Sequence, residues 1–235
     1  MENQLKEMKI NLVKAVRMLE NIDLLDMNGH VSCRLPEGDA FLINSRQGSR
    51  VSISVHDIVI CNLDGKPIND IEPPSEVQIH SNIYKVRPDV FAVIHNHPHW
   101  QTVLGIAGFI PKPVFSIGSM TNEMEIYENS SLVNIREMGE EVAEALKGNM
   151  AIHLRHHGSV VVGHDLKSVF YRAVVMEENA KKQYQAAVIN PNHYVLKGEN
   201  LARTQKTNWG QSIIEKMWSY YESKSLREGI FENIE

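Results

Sequence analysis

The apolar run at residues 90–94 constrains the fold more than any other stretch of this sequence. Five consecutive apolar residues follow Arg87-Pro88-Asp89, a segment that stops a helix. A strand with one face in water alternates apolar and polar residues, so an unbroken apolar run predicts a strand buried on both faces. We therefore expect a sheet that is covered on both sides.

Helix and strand patterns alternate along the rest of the chain. Apolar residues at helical spacing predict a first helix over 5–19, and Asp165 is the expected N-cap of a long helix. Helices are also predicted to start at Ser75-Glu76 and over 100–106, 132–146 and around 213–221, and strands over 30–35, 40–44, 57–63, 150–155 and 159–162. The segment 116–129 is predicted to be irregular. One α/β domain over residues 1–235 is the simplest account.

Composition argues against several functional classes. The 235 residues carry a formal net charge of −5 and no basic block, which argues against nucleic acid or an anionic membrane as partner. Cys33 and Cys61 are too few for a disulfide scaffold and are expected to be reduced and buried. No apolar run is long enough to span a membrane, and the first residues lack the pattern of a signal region. We expect a cytoplasmic protein.

Histidines follow both of the apolar strands in the middle of the chain. Residues i and i+2 of an extended segment point the same way, so His95 and His97 can bind one metal ion. His157 closes the second strand and is the best third ligand, with Gly158 expected to let the backbone turn tightly. Imidazole suits Zn²⁺ and also Mn²⁺, Fe²⁺ or Co²⁺. The spacing alone fits a group of surface histidines equally well, and the helix after His99 makes that residue a weaker candidate.

Glu76 is the acid most suited to such a site. It lies at a predicted helix start, where the helix dipole favours the charged carboxylate. One interpretation is a general base or a displaceable ligand beside the metal. The other is a charge that only stabilises the helix N-terminus, and sequence spacing does not separate the two.

Three short motifs together resemble one family. Ser75-Glu76, His95-Asn96-His97-Pro98 and His157-Gly158 are similar to the class II aldolase/adducin family. The resemblance extends from Asn28-Gly29-His30-Val31-Ser32 to Glu177-Glu178-Asn179-Ala180. It implies a three-layer α/β/α domain around a mainly antiparallel central sheet, and a homotetramer with active sites near the subunit interfaces.

The resemblance also implies a ligand set and a chemistry. His95, His97 and His157 correspond to the metal ligands of the family, and Glu76 corresponds to its catalytic carboxylate. The metal of the family is usually Zn²⁺, with Mn²⁺ or Co²⁺ in some members. A divalent cation stabilises the enolate that forms when a bond beside a carbonyl breaks. Loss of an aldehyde, loss of CO2 or removal of a proton all give this species.

The expected substrate loops depart from those of sugar-phosphate enzymes in the family, which hold phosphate with small polar residues. Here His30 stands where a small asparagine is expected, Pro74 stands where a serine precedes Ser75-Glu76, and a second loop carries Arg46 and Arg50. Arginine pairs bidentately with carboxylates. His30, Arg46, Arg50 and Ser75 are therefore candidate substrate-binding residues. Alternatively, the arginines are surface charges and His30 is a buried, hydrogen-bonded histidine.

These observations favour a metal-dependent lyase that decarboxylates a hydroxylated carboxylic acid, a small-molecule substrate. The first alternative is a sugar-phosphate aldolase or epimerase. The second is a non-catalytic, adducin-like interaction domain, which would not need the four metal-site positions that this chain keeps.

Overall fold

The computed structural model describes residues 2–121 and 124–235, except for the side chain of Met120. The strands are β1 (His30–Arg34), β2 (Ala40–Asn44), β3 (Ile58–Asn62), β4 (Ala92–Asn96), β5 (Glu125–Tyr127), β6 (Ala151–Leu154) and β7 (Gly158–Gly163). They form one sheet in the order β3-β2-β1-β4-β7-β6-β5. All pairings between these strands are antiparallel except β5 with β6. The predicted mainly antiparallel sheet is therefore confirmed.

Helices cover both faces of the sheet, as the apolar run predicts. They are α1 (Glu2–Glu20), α2 (Val77–Val86), α3 (His99–Ile106), α4 (Arg136–Leu146), α5 (Leu166–Ile189), α6 (Gly198–Thr207) and α7 (Gln211–Arg227). The core on one face joins α1, α5 and Trp218 of α7 to alternate strand residues such as Ile94. The core on the other face joins α2 and α4 to the strand residues that point the opposite way, such as Val93. The predicted three-layer α/β/α architecture follows from these two cores.

Several elements of the structure were not predicted. The segment 116–129 contains a short 3-10 helix, Ile117–Thr121, and strand β5, which is held by its parallel pairing with β6. Helix α6 buries no residue completely, so it lacks the apolar stripe by which a sequence pattern identifies a helix.

The prediction for Asp165 is confirmed, since its side chain accepts a hydrogen bond from the amide of Ser168 at the start of α5. No helix among the described residues has the length and apolar character needed to cross a bilayer.

Strand β4 lies in the middle of the sheet and positions the candidate ligands. Its neighbours are β1 and β7, and the register places His30 opposite His95 and Ser159 opposite Asn96. The end of β4 therefore lies beside the start of β1 and the start of β7, at one end of these central strands. His30, His95 and His157 lie at this end of the strands. His95 and His157 follow His30 by 65 and 127 positions in the sequence.

Gly158 allows a close approach, not a turn as expected. It begins β7, and a β-carbon on it would lie 2.2 Å from the backbone oxygen of Asn96. The residue that turns the chain is His156, which adopts a φ of 59° between β6 and β7. The small residue at 158 thus brings His157 within reach of β4.

We expect Gly158→Ala to lower the free energy of unfolding by about 1–3 kcal/mol, because the added methyl group forces β7 away from β4. Chemical denaturation of the metal-free protein measures the change. Gly148→Ala is the matched control, since a β-carbon there would meet no atom within 4 Å, and it should change stability by less than about 0.5 kcal/mol. Equal stability of the two variants would contradict this account of Gly158.

Candidate metal centre

Four side chains converge at the end of the central strand β4. One ligand atom from each of Glu76, His95, His97 and His157 lies within 4.8 Å of the others. The Nε2 atom of His95 is 3.4 Å from Oε2 of Glu76, and Nε2 of His157 is 3.7 Å from Oε1. Ligands of one Zn²⁺ ion are at most about 4.2 Å apart, twice the bond length. Shifts of a few tenths of an ångström would place all four on one ion.

The ring nitrogens of these histidines fit a cation. Buried polar atoms in proteins nearly always have a hydrogen-bond partner. Among the described residues, Nε2 of His95, Nε2 of His97 and Nδ1 of His157 are buried without one. The unpartnered Nε2 atoms of His95 and His97, with Nε2 of His157 beside the Glu76 carboxylate, are a donor set that Zn²⁺, Mn²⁺, Fe²⁺ or Co²⁺ can bind.

Hydrogen bonds on the far side of the rings orient two of the histidines. His95 donates from Nδ1 to the backbone oxygen of Ser159 at 3.0 Å. His97 donates from Nδ1 to Oδ2 of Asp26 at 2.9 Å. Each contact puts the proton on Nδ1 and leaves the Nε2 lone pair for a metal, as outer-shell partners of metal-binding histidines do.

Asp26 is a candidate site residue that the sequence analysis did not select. Its Oδ1 accepts hydrogen bonds from the amides of Asn28 and Gly29, both at 2.9 Å, which fix the carboxylate in its loop. The hydrogen bond from His97 holds the pKa of Asp26 well below its usual range. A carboxylate that accepts a hydrogen bond from Nδ1 raises the basicity of the imidazole toward a metal.

Glu76 is buried and charged. It occupies the N-cap position of α2, only 3% exposed, and its Oε1 accepts a hydrogen bond from the amide of Val133 at 3.0 Å. Burial alone would raise its pKa, but the neighbouring imidazoles of His30 and His95 outweigh burial and hold the pKa well below the usual range. The predicted position at a helix start is confirmed, and the carboxylate faces the histidines.

Three of the four candidate ligands, Glu76, His97 and His157, line a pocket of about 550 Å³. All four candidate substrate-binding residues line it, together with side chains that the sequence analysis did not select. The pocket is lined by Met27, Asn28, His30, Arg46, Arg50, Pro74, Ser75, Glu76, His97, Ser130, Leu132, His156 and His157. His156 is exposed at this pocket and lies outside the group of metal ligands, and His99 is exposed at the start of α3.

The two arginines of the pocket differ. Arg46 is half exposed and pairs with Glu72 at 2.7 Å. Arg50 is buried and donates from Nε to the Gly29 carbonyl and from Nη1 to the carbonyls of Ser45 and Gly48. Its Nη2 makes no hydrogen bond to a described residue, so Arg50 both supports the loops and keeps donors for a bound anion.

The family model of the class II aldolase and adducin N-terminal domain matches residues 10–184. The chain belongs to this family. The resemblance that the sequence motifs carry is thereby confirmed.

Relatives within the class II aldolase family include both aldolases and decarboxylases. The chain is 29% identical over 218 residues to the 5-methylthioribulose-1-phosphate/5-deoxyribulose-1-phosphate aldolase of Rhodospirillum rubrum, which covers 92% of this chain and 93% of that protein. It is 25% identical over 179 residues to a 3,4-dihydroxyphthalate decarboxylase of Arthrobacter keyseri, covering 69% and 72%. The L-fuculose 1-phosphate aldolase structure from Glaciozyma antarctica shares the fold, with a TM-score of 0.84 at 21% identity over 97% of this chain and 92% of that one.

Asp26→Asn should weaken metal binding by about ten- to a hundredfold, because it removes the charge that supports His97. Titration of the metal-free protein with Zn²⁺ in competition with a chelator measures the affinity. Asp23→Asn is the matched control, since Asp23 lies in the same loop and is exposed, and its positive φ of 58° suits asparagine. Equal affinities of the two variants would exclude an outer-shell role for Asp26.

Proposed function

We propose that this protein is a divalent-metal-dependent lyase that cleaves a carbon–carbon bond beside a carbonyl group. The observation that carries the proposal is the convergence of three imidazoles and one buried carboxylate, Glu76, on a common point. A bound divalent cation supplies electrophilic stabilisation of the enolate charge that develops as the bond breaks. Zn²⁺ is the first candidate for a site of this composition, with Mn²⁺, Co²⁺ or Fe²⁺ as others.

The protein's own residues have separate tasks in this proposal. His95, His97 and His157 hold the cation, and Glu76 takes or returns the proton at the reacting carbon. Glu76 is charged at rest, so it first takes the proton of a substrate hydroxyl group and then returns this proton to the carbon that loses CO2. His30, Arg46, Arg50 and Ser75 bind the substrate from the walls of the pocket.

We infer that the reaction is decarboxylation of a hydroxylated aromatic or keto acid. The buried Arg50 keeps Nη2 for a substrate carboxylate, and a guanidinium pairs well with carboxylate oxygens. His30 replaces the small residue expected in a phosphate loop. The 3,4-dihydroxyphthalate decarboxylase of Arthrobacter keyseri, to which the chain is similar, acts on such an acid.

A second candidate is aldol cleavage of a sugar phosphate. The relative that favours it, the Rhodospirillum rubrum aldolase, aligns with 92% of this chain, compared with 69% for the decarboxylase. Arg46 and Arg50 can bind a phosphate as well as a carboxylate.

We also propose that the chain acts in the cytoplasm as a homo-oligomer, with a tetramer as the first candidate. Large apolar side chains are exposed at the end of α3, in the segment after it and at the end of α5, and a second subunit would cover such side chains. They include Ile106, Phe109, Ile110, Val188 and Ile189, each more than 40% exposed.

Glu76→Gln should reduce kcat by about 10²–10⁴-fold, the usual contribution of a general base. Glutamine keeps the shape of the side chain and can still accept the hydrogen bond from Val133, so circular dichroism should show an unchanged fold. Glu144→Gln, an exposed acid on α4, is the control and should retain full activity. Full activity of Glu76→Gln would overturn the role given to this residue.

Product analysis separates the candidate functions. Metal-loaded protein is incubated with hydroxylated aromatic acids and with ketose 1-phosphates, and we expect CO2 from the acids and no aldehyde from the phosphates. Aldehyde release would select the aldolase. Absence of bound metal in the purified protein, with partner binding unchanged in His95→Ala and His157→Ala, would indicate an adducin-like interaction domain.

A further inference from the structure

A chain of buried hydrogen bonds runs from the pocket into the protein behind the candidate ligands. Nδ1 of His30 is 2.6 Å from Nε2 of His80, Nδ1 of His80 is 2.6 Å from Oγ of Ser32, and Oγ of Ser32 is 2.7 Å from the hydroxyl of Tyr84. All four side chains are at most 1% exposed. The chain therefore consists of protein groups alone and ends in the core.

The regular spacing of two elements builds this chain. His30 and Ser32 lie on one face of β1 because residues i and i+2 of a strand point the same way. His80 and Tyr84 are one helical turn apart on α2, and Glu76 is one turn earlier at its N-cap. One face of α2 thus carries the candidate catalytic carboxylate and two supports for His30.

Only one direction of these hydrogen bonds gives each of the two hydroxyl hydrogens and the His80 ring hydrogen an acceptor within the chain. If Tyr84 donates to Ser32, Ser32 donates to Nδ1 of His80, and Nε2 of His80 then donates to Nδ1 of His30. The remaining proton of a neutral His30 is on Nε2. If His80 is instead protonated on Nδ1, a hydroxyl hydrogen of Ser32 or Tyr84 has no acceptor among the described residues.

The reversed direction has a second disadvantage at the pocket. It would turn the lone pair of His30 Nε2 toward the charged Oε2 of Glu76, 3.8 Å away. In the direction in which Tyr84 donates to Ser32, the Nε2–H group of His30 faces that carboxylate. The distance exceeds that of a hydrogen bond, and Nε2 has no partner among the described residues.

We propose that Tyr84, Ser32 and His80 form a one-way hydrogen-bond relay that fixes His30 as an Nε2–H donor to an oxygen atom of the bound substrate. His80, Ser32 and Tyr84 are positioning residues, since they act only through His30. The site then prefers substrates with a carbonyl, carboxylate or alkoxide oxygen at this position. This preference rests on the proposed lyase function, whereas the tautomer of His30 does not.

The environment of Tyr84 prevents proton loss at the inner end of the relay. Burial raises the pKa of the Tyr84 hydroxyl well above its usual value, so the phenol proton stays in place. Arg34 lies over the Tyr84 ring at 4.8 Å and holds it. The relay therefore supplies a fixed donor and does not carry a net proton to the substrate.

Nuclear magnetic resonance of the metal-free protein tests the proposal. With ¹⁵N-labelled histidine at neutral pH, long-range ¹H–¹⁵N correlations show which ring nitrogen of each histidine is protonated. His30→Gln and His80→Gln assign the two signals by their loss. We expect His30 and His80 to be protonated on Nε2 alone, in at least a tenfold excess. Protonation of either ring on Nδ1 in the unsubstituted protein would overturn the relay.

A pair of serine variants tests the mechanism. Ser32→Ala removes the hydroxyl that donates to His80, so His30 should show both tautomers in comparable amounts. Ser81→Ala is the matched control, because Ser81 is buried on the same helix but donates to the Leu63 carbonyl outside the relay. A single Nε2–H tautomer in Ser32→Ala would contradict the relay.

Turnover assays separate this inference from the proposed function. If the protein is a lyase, kcat/KM should fall at least tenfold in Ser32→Ala and stay unchanged in Ser81→Ala. If no substrate is turned over but the expected tautomer is observed, the lyase proposal fails and the relay stands. If turnover is observed with His30 protonated on Nδ1, the relay fails and the lyase proposal stands.

Discussion

The antiparallel pairing of β4 with β1 and β7 is the constraint on which the rest of the structure depends. It places the start of β1, the end of β4 and the start of β7 side by side. His30, His95 and His157 are brought together there. The pairing is tight because Gly158 has no side chain to hold it apart from Asn96. Every residue of β1, β4 and β7 is buried. The hydrophobic effect that stabilises the sheet therefore also holds the imidazoles in place.

Helix α2 completes the site from outside the sheet. Its first turn brings Glu76 to the histidines, and its later turns bring His80 and Tyr84 against β1. A buried carboxylate without partners would be costly. Here the Val133 amide stabilises its charge, and a cation bound between the carboxylate and the histidines would do so further. The same helix face therefore supports both the electrostatics of the site and the orientation of His30.

Much of this arrangement could be predicted from the sequence because it is encoded in short periodic patterns. Period-two spacing places His95 and His97 on one side of a strand, and a helix-start signal marks Glu76. Asp26, strand β5 and helix α6 could not be predicted in this way. Asp26 supports His97 from a loop 71 residues earlier, β5 depends on its pairing with β6, and α6 has no buried face. Their roles depend on contacts between distant segments, which no local pattern records.

Gly158 and His30 show how a correct motif can carry a wrong or incomplete physical reason. A glycine after a histidine suggests a turn, yet the turn lies at His156 and the glycine is needed for close packing. For His30, the sequence allows either contact with substrate or burial with hydrogen bonds. The two are compatible, because a ring has two nitrogens: Nδ1 is held by His80 in the core, while Nε2 faces Glu76 and the pocket. Burial of one nitrogen is what gives the other a defined orientation, so in this site the structural role of His30 is the basis of the functional role we assign to it.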